Sequence, residues 1–239
     1  MTSFFSTLSP DWTIPNVKAY TILTSASDFS PVTFSHDNFQ ASHCREQLEL
    51  LTKPLQPICW LRQVHGNRIV EMPVTGENIE ADGAFTHQKN IVCAIMTADC
   101  LPIIFSNQSG TQVGVVHAGR KGLQKGIISE MINTFDVAVE EIYAWIGPGI
   151  AAESYPISKE IKAEVLALSS SYEKVFSEGL NGQPLMDLYE VARMQLANHG
   201  IINDHISGAS WDTFTDERFH SARRDKDKSG RMATIVWME

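Results

Sequence analysis

The strongest pattern along the chain is a pair of continuous apolar, β-branched runs, residues 91–97 and 113–117, which read as buried strands. Runs of the same kind at Val17–Leu23, 58–61, 68–72, 141–146 and Met232–Met238 predict further strands. Helical spacing takes over at 122–135, where Leu123, Ile127, Ile128, Met131, Ile132 and Phe135 fall on one face. Ser158 reads as the N-cap of a helix to about residue 168, with Ile161, Val165 and Leu168 on one side. Asp187 caps another over 188–198, turning Leu188, Val191, Ala192 and Leu196 inward. A shorter helix over 41–52 points Leu48, Leu50 and Leu51 to the core. Residues 25–38 and 75–83 are polar and read as loops, and Gly66-Asn67 is a tight-turn signal between strands.

Strands and helices are mixed without a regular βαβ alternation, and no linker or internal repeat divides the chain. The expectation is therefore α+β: one compact domain over residues 1–239, a mixed α/β sandwich whose mixed β-sheets are flanked by helices. With 43% hydrophobic residues the chain has material for a real core. A net charge of −9 argues against a nucleic-acid partner but leaves small anions open wherever cations cluster. The start of the chain lacks a signal-peptide pattern, and its apolar runs fall short of the ~20 residues that span a bilayer. No membrane partner is expected. The four cysteines are scattered, which suits reduced thiols in a cytoplasm.

The chemistry gathers at strand ends. The run over 91–97 leads into Thr97-Ala98-Asp99-Cys100, that over 113–117 delivers His117 into Ala118-Gly119-Arg120-Lys121-Gly122, and Gln63-Val64-His65-Gly66 follows residues 58–61. Cys100, His65 and His117 are a competent zinc set with the fourth position open. A Cys–His hydrolase with Cys100 as nucleophile is the alternative, and leaves one histidine unexplained. Cys93, inside its strand, reads as packing. Arg120 and Lys121 at a strand–helix join, and Arg223-Arg224 near the C-terminus, are cations that suit an anion. The join is neither a Walker A loop nor GxGxxG. Eight histidines scattered singly argue against a blue multicopper site.

Together these segments resemble the YfiH family, also called the polyphenol oxidase or laccase-domain family, whose members act as purine nucleoside phosphorylases. The matching pieces are Gln63-Val64-His65-Gly66, Ala81-Asp82-Gly83, Thr97-Ala98-Asp99-Cys100-Leu101-Pro102 and Val116-His117-Ala118-Gly119. Ile146-Gly147-Pro148, Asp187-Leu188, Phe219 with Ser221, Arg223-Arg224-Asp225 and Gly230-Arg231-Met232-Ala233 follow in family order. The resemblance implies a mixed-sheet sandwich with zinc held by His65, Cys100 and His117, copper being the alternative metal. It implies phosphorolysis of adenosine, inosine or methylthioadenosine, and deamination of adenosine.

For deamination, Asp99 and Asp82 are the candidate proton-shuttling carboxylates. For phosphorolysis, Arg120, Lys121, Arg223 and Arg224 are the candidate phosphate ligands. The chain also departs from the family. Arg120-Lys121 stands where the family reads Trp-Arg, and Glu153-Ser154 where it has paired cysteines. Its N-terminal arginine has no counterpart in residues 23–30, nor its asparagine-and-GDH stretch in 33–40. A metal-binding relative with little turnover is the non-enzymatic alternative.

Overall fold

A computed structural model describes residues 6–23, 39–76 and 78–239. The loop expected at 25–38, and most of the N-terminal stretch in which the family's arginine would fall, lie outside the described residues.

Strand β1 (Ser6–Leu8) pairs with β2 (Val17–Leu23), and helix α1 (Phe39–Thr52) follows. Strands β3 (Ile69–Glu71), β4 (Gly83–Thr86), β5 (Cys93–Thr97), β6 (Leu101–Asn107) and β7 (Val113–Ala118) make the middle of the chain. Next come α2 (Arg120–Gln124), α3 (Ile127–Ile132), β8 (Ile142–Ile146) and α4 (Lys159–Leu168). A hairpin of β9 (Phe176–Glu178) and β10 (Pro184–Met186) precedes α5 (Leu188–Asn198) and β11 (Ile206–Gly208). The short α6 (Ala222–Asp225) and β12 (Met232–Met238) close the chain.

A four-stranded antiparallel sheet runs β1-β2-β12-β5, and a six-stranded mixed sheet runs β11-β8-β6-β7-β4-β3. Ile95, Val236 and Met238 of the first meet Ile104, Val113, Val115 and Trp145 of the second. On the far side of the larger sheet Ile103, Phe105, Val116 and Ile146 pack on Ile127, Met131, Val191 and Leu196 of the helices. Cys44 and Leu48 of α1 cover the outer face of the smaller sheet against Ile22, Ile235 and Trp237. The layers are thus helix, sheet, sheet, helices in one compact unit. Because β6 and β7 are covered on both faces, they are buried throughout and largely apolar rather than alternating. Among the described residues no helix is long and apolar enough to cross a membrane.

Several expectations need correction. Residues 58–61 belong to no named strand; Ile58, Trp60 and Leu61 are buried, with the Ile58 N–H donating to Glu49 and the Arg45 guanidinium over the Trp60 ring. The helix over 122–135 is two helices, broken where Gly126 takes φ +81, a left-handed conformation that glycine adopts freely. The polar stretch 75–83 ends in β4, and β6 was hidden by Pro102 at its second position. Leu50 is 67% exposed and Leu168 55%, so neither faces the core. The N-caps at Ser158 and Asp187 are in place, their side chains accepting from the amides of Ile161 and Glu190.

What positions the site is the passage from β5 to β6. The strands belong to different sheets, so residues 98–100 carry the chain across the end of the sandwich. Asp99 makes the turn at φ +81, which an aspartate tolerates better than most residues. Trp145, fully buried between the sheets, tests the sandwich: Trp145→Ala should cost about 3–5 kcal/mol in equilibrium urea unfolding. A loss below ~1 kcal/mol, the range of mild core swaps, would mean that the sheets do not close on it.

Candidate metal centre

The loop 63–66 is tied down at both ends before His65 can be placed. The Gln63 amide bonds the Met96 peptide twice, donating to its carbonyl at 2.7 Å and accepting from its N–H at 2.7 Å. The edge of β5, which pairs with no other strand among the described residues, is thereby fastened to the loop. Three successive amides, those of Val64, His65 and Gly66, then donate to the Asp82 carboxylate at 3.2, 2.9 and 2.6 Å. His65 is held at φ +58, a strained setting that only such anchoring maintains.

The same carboxylate takes a hydrogen bond from Nδ1 of His117 at 2.8 Å, while the Asp82 carbonyl takes the His117 N–H at 2.7 Å. Asp82 is fully buried. Burial pushes its pKa up, but the His117 ring and the Gly66 and Val64 amides outweigh it and hold the carboxyl below the usual range. With Nδ1 committed, His117 offers its other ring nitrogen.

The ring centroids of His65 and His117 lie 4.7 Å apart at 72°. Ligand atoms of His65, Cys100 and His117 all fall within 4.8 Å of one another, and among the described residues no carboxylate joins them. Gly119 makes the approach possible: a Cβ there would sit 2.6 Å from Cys100 Sγ and 3.2 Å from His65 Cδ2. One sulfur and two imidazoles, with an acid behind one imidazole, is a donor set that fits zinc. Burial raises the Cys100 thiol, yet the His117 and His65 imidazoles more than offset this and bring it to about 6. Burial likewise disfavours charge on His117, but the Cys100 thiolate and Asp82 raise its pKa to about 9. Cys93 is buried packing, as expected, with its thiol pushed up by burial.

Residues 33–239 match the family described as multi-copper polyphenol oxidoreductase laccase. The chain belongs to that family. It is similar to a purine nucleoside phosphorylase of Haemophilus influenzae, 34% identical over 97% of this chain and 99% of the relative. The Escherichia coli purine nucleoside phosphorylase YfiH is 38% identical over 77% of this chain and 75% of its own length. A solved structure from Neisseria meningitidis superposes with a TM-score of 0.88 at 29% identity, covering 98% of this chain and 99% of that one. The YfiH resemblance and the mixed sandwich read from the motifs are both borne out.

The remaining residues singled out by the sequence fall in distinct places. Asp99 sits beside Cys100 with both carboxylate oxygens engaged, Oδ1 by the Thr213 hydroxyl at 2.7 Å and Oδ2 by the Arg223 N–H at 2.6 Å. Arg223 lies over the Tyr155 ring, 5.0 Å from its centroid, with Nη1 donating to the Pro156 carbonyl at 3.2 Å. Arg120 directs Nη1 to Gln124 at 2.7 Å and Glu164 at 3.6 Å. Arg224 differs. Its Nε, Nη1 and Nη2 are all engaged, by the Asp225 carboxylate and the carbonyls of Thr213, Phe214 and Phe219. It holds the C-terminal loop together. Lys121 is exposed on the first turn of α2. Sequence reasoning passed over Gln63 as a clamp and Tyr155 altogether. The latter sits in an irregular stretch with no periodic signal, two positions beyond Glu153.

Asp82→Asn should keep the fold and lower zinc affinity by roughly 10–100-fold in a chelator-competition titration; unchanged affinity would remove the carboxylate from the centre. Cys100→Ser should abolish stoichiometric zinc on metal analysis. Binding must also displace the His117 proton, held in the metal-free protein up to about pH 9, whereas the thiol is already ionised above about 6. Zinc affinity should therefore rise about tenfold per pH unit from about 7 to 8.5. A flat profile would mean that His117 is not a ligand.

Proposed function

We propose that the protein is a zinc-dependent purine nucleoside phosphorylase acting on adenosine, inosine or methylthioadenosine. The names carried by its relatives support the reaction class, and one observation within the site supports phosphorolysis over deamination. Deamination by a zinc centre needs a carboxylate to shuttle protons. The two candidate acids, Asp82, which holds His117, and Asp99, which precedes Cys100, have their carboxylates engaged by backbone and side-chain donors. Phosphorolysis needs instead a held anion; among the described residues the Arg223 guanidinium donates only through Nη1, to Pro156, while Arg120 interacts with Gln124, Glu164 and the Tyr155 hydroxyl. Nε and Nη2 of Arg223 remain for a phosphate, with the Arg120 charge on the same flank.

His65, Cys100 and His117 would hold the zinc, which when bound supplies a Lewis acid beside the anionic co-substrate. Arg120 and Arg223 bind the phosphate and orient it toward the ribose. A phosphate oxygen forms the new bond to C1′ as the C1′–N9 bond breaks. Its electron pair leaves with the purine, which takes up a proton to give the free base, and the sugar leaves as ribose 1-phosphate. Holding the anion against an oxocarbenium-like carbon is the main contribution of the protein, since positioning and charge stabilisation dominate such transfers. The acids act through the groups they hold, Asp82 through both histidines and Asp99 through Arg223.

Chromatography of products from zinc-replete protein should show adenine from adenosine and hypoxanthine from inosine, each with ribose 1-phosphate and only when phosphate is present. Inosine formed from adenosine, independent of phosphate, would replace this reading with deamination. Among variants, Arg223→Ala should raise the KM for phosphate on the order of tenfold or more, the scale of one lost charge-assisted contact. Arg224→Ala should lower Tm and leave that KM near its starting value. The reverse outcome would exchange the roles of the two arginines.

A further inference from the structure

Tyr155 occupies a position that no reading of the motifs assigns. It follows the 3-10 turn Ala152–Ser154, and its backbone carbonyl accepts the Met186 N–H, so the β9–β10 hairpin fixes where it stands. Its ring underlies the Arg223 guanidinium at 5.0 Å. Arg120 approaches from the other chain segment, at the start of α2 and next to Gly119, which abuts Cys100 Sγ. Two guanidiniums brought to one flank repel each other unless something neutral and polarisable separates them. The ring face attracts one cation, and the hydroxyl, which accepts from the Arg120 guanidinium, still has its own proton to donate to an anion lying between both.

Resting on the phosphorolysis reading, we infer that Tyr155 is the residue that positions the tetrahedral oxyanion between Arg120 and Arg223. The ring carries Arg223, and the hydroxyl supplies a donor that the arginines cannot. The electrostatics agree: burial and the Cys100 thiolate push the phenol's pKa up, and Arg120 and Arg223 only partly offset them, so the hydroxyl keeps its proton. The arrangement also gives the Arg120 of this chain a function at a place where its relatives were expected to carry tryptophan. A cation there faces a tyrosine and a second cation, and the three together select an inorganic oxyanion rather than a flat base.

The test is a comparison of Tyr155→Phe and Tyr155→Leu, by separate KM values for phosphate and inosine and by calorimetric titration of inorganic phosphate into zinc-loaded protein. Zinc content and Tm are measured alongside. Tyr155→Phe should raise the phosphate KM and Kd about tenfold, the scale of a hydrogen bond to a charged partner, with the inosine KM within about twofold. Tyr155→Leu, which also loses the ring beneath Arg223, should weaken phosphate further. A phosphate KM and Kd unchanged in Tyr155→Phe, or equal rises for phosphate and inosine, would overturn the assignment. If the wild-type protein cleaves no purine nucleoside, the parent reading fails, and calorimetry still decides the subsite. Phosphate binding that weakens in both variants keeps the oxyanion site, and binding indifferent to them removes it.

Discussion

A single buried carboxylate holds the centre together. Asp82 gathers three amides from the loop that carries His65 and the ring of His117, two segments that meet only in the folded chain. An ionised acid without exposure is costly unless every lone pair is used, and here the donors that satisfy it are those that place the two imidazoles. Removing the charge would therefore do more than unmake one hydrogen bond. It would weaken the hold on three loop amides and on the His117 ring at once, and removing the side chain altogether would leave the amides without their shared acceptor. The low dielectric of the site strengthens each of these bonds while they are complete and penalises any that is missing.

The second acid works at the other end of the same site. Asp99 marks the crossing between sheets, and its carboxylate reaches more than a hundred residues along the chain to Thr213 and the backbone of Arg223. The residue before the thiolate thus sets the register of the cation opposite it. Gln63 adds a third tether, joining the His65 loop to the edge of β5. The candidate metal ligands and the arginines proposed to hold the anion are accordingly tied to the sheet ends and to each other, which is the rigidity that positioning chemistry requires.

Much of this was legible in the chain. Met232–Met238 and Val17–Leu23 were apparent because central strands carry apolar runs, and the helix after Asp187 because its period and cap agree. His65, Cys100 and His117 stood out because each follows a strand-like run and adjoins a turn. What stayed hidden depends on contacts between distant segments. Nothing local distinguishes Arg223 from Arg224, yet one faces Tyr155 with donors to spare and the other is closed off by four neighbouring residues. Asp82 and Asp99 read as proton carriers because acids beside ligands often are; the donors that engage both carboxylates come from segments distant in the chain, which no local pattern reveals. Gly126 was too small a signal against the helical period around it, and Pro102 masked a strand that is buried on both faces.

X-ray absorption at the zinc edge, on protein reconstituted with equimolar zinc, probes the Asp82-anchored centre most directly. The expected first shell contains one sulfur and two imidazole nitrogens, completed by a light atom in the open position. A shell of nitrogen and oxygen alone, or one with a single imidazole, would place the metal away from Cys100, His65 and His117 and contradict the centre described for this fold.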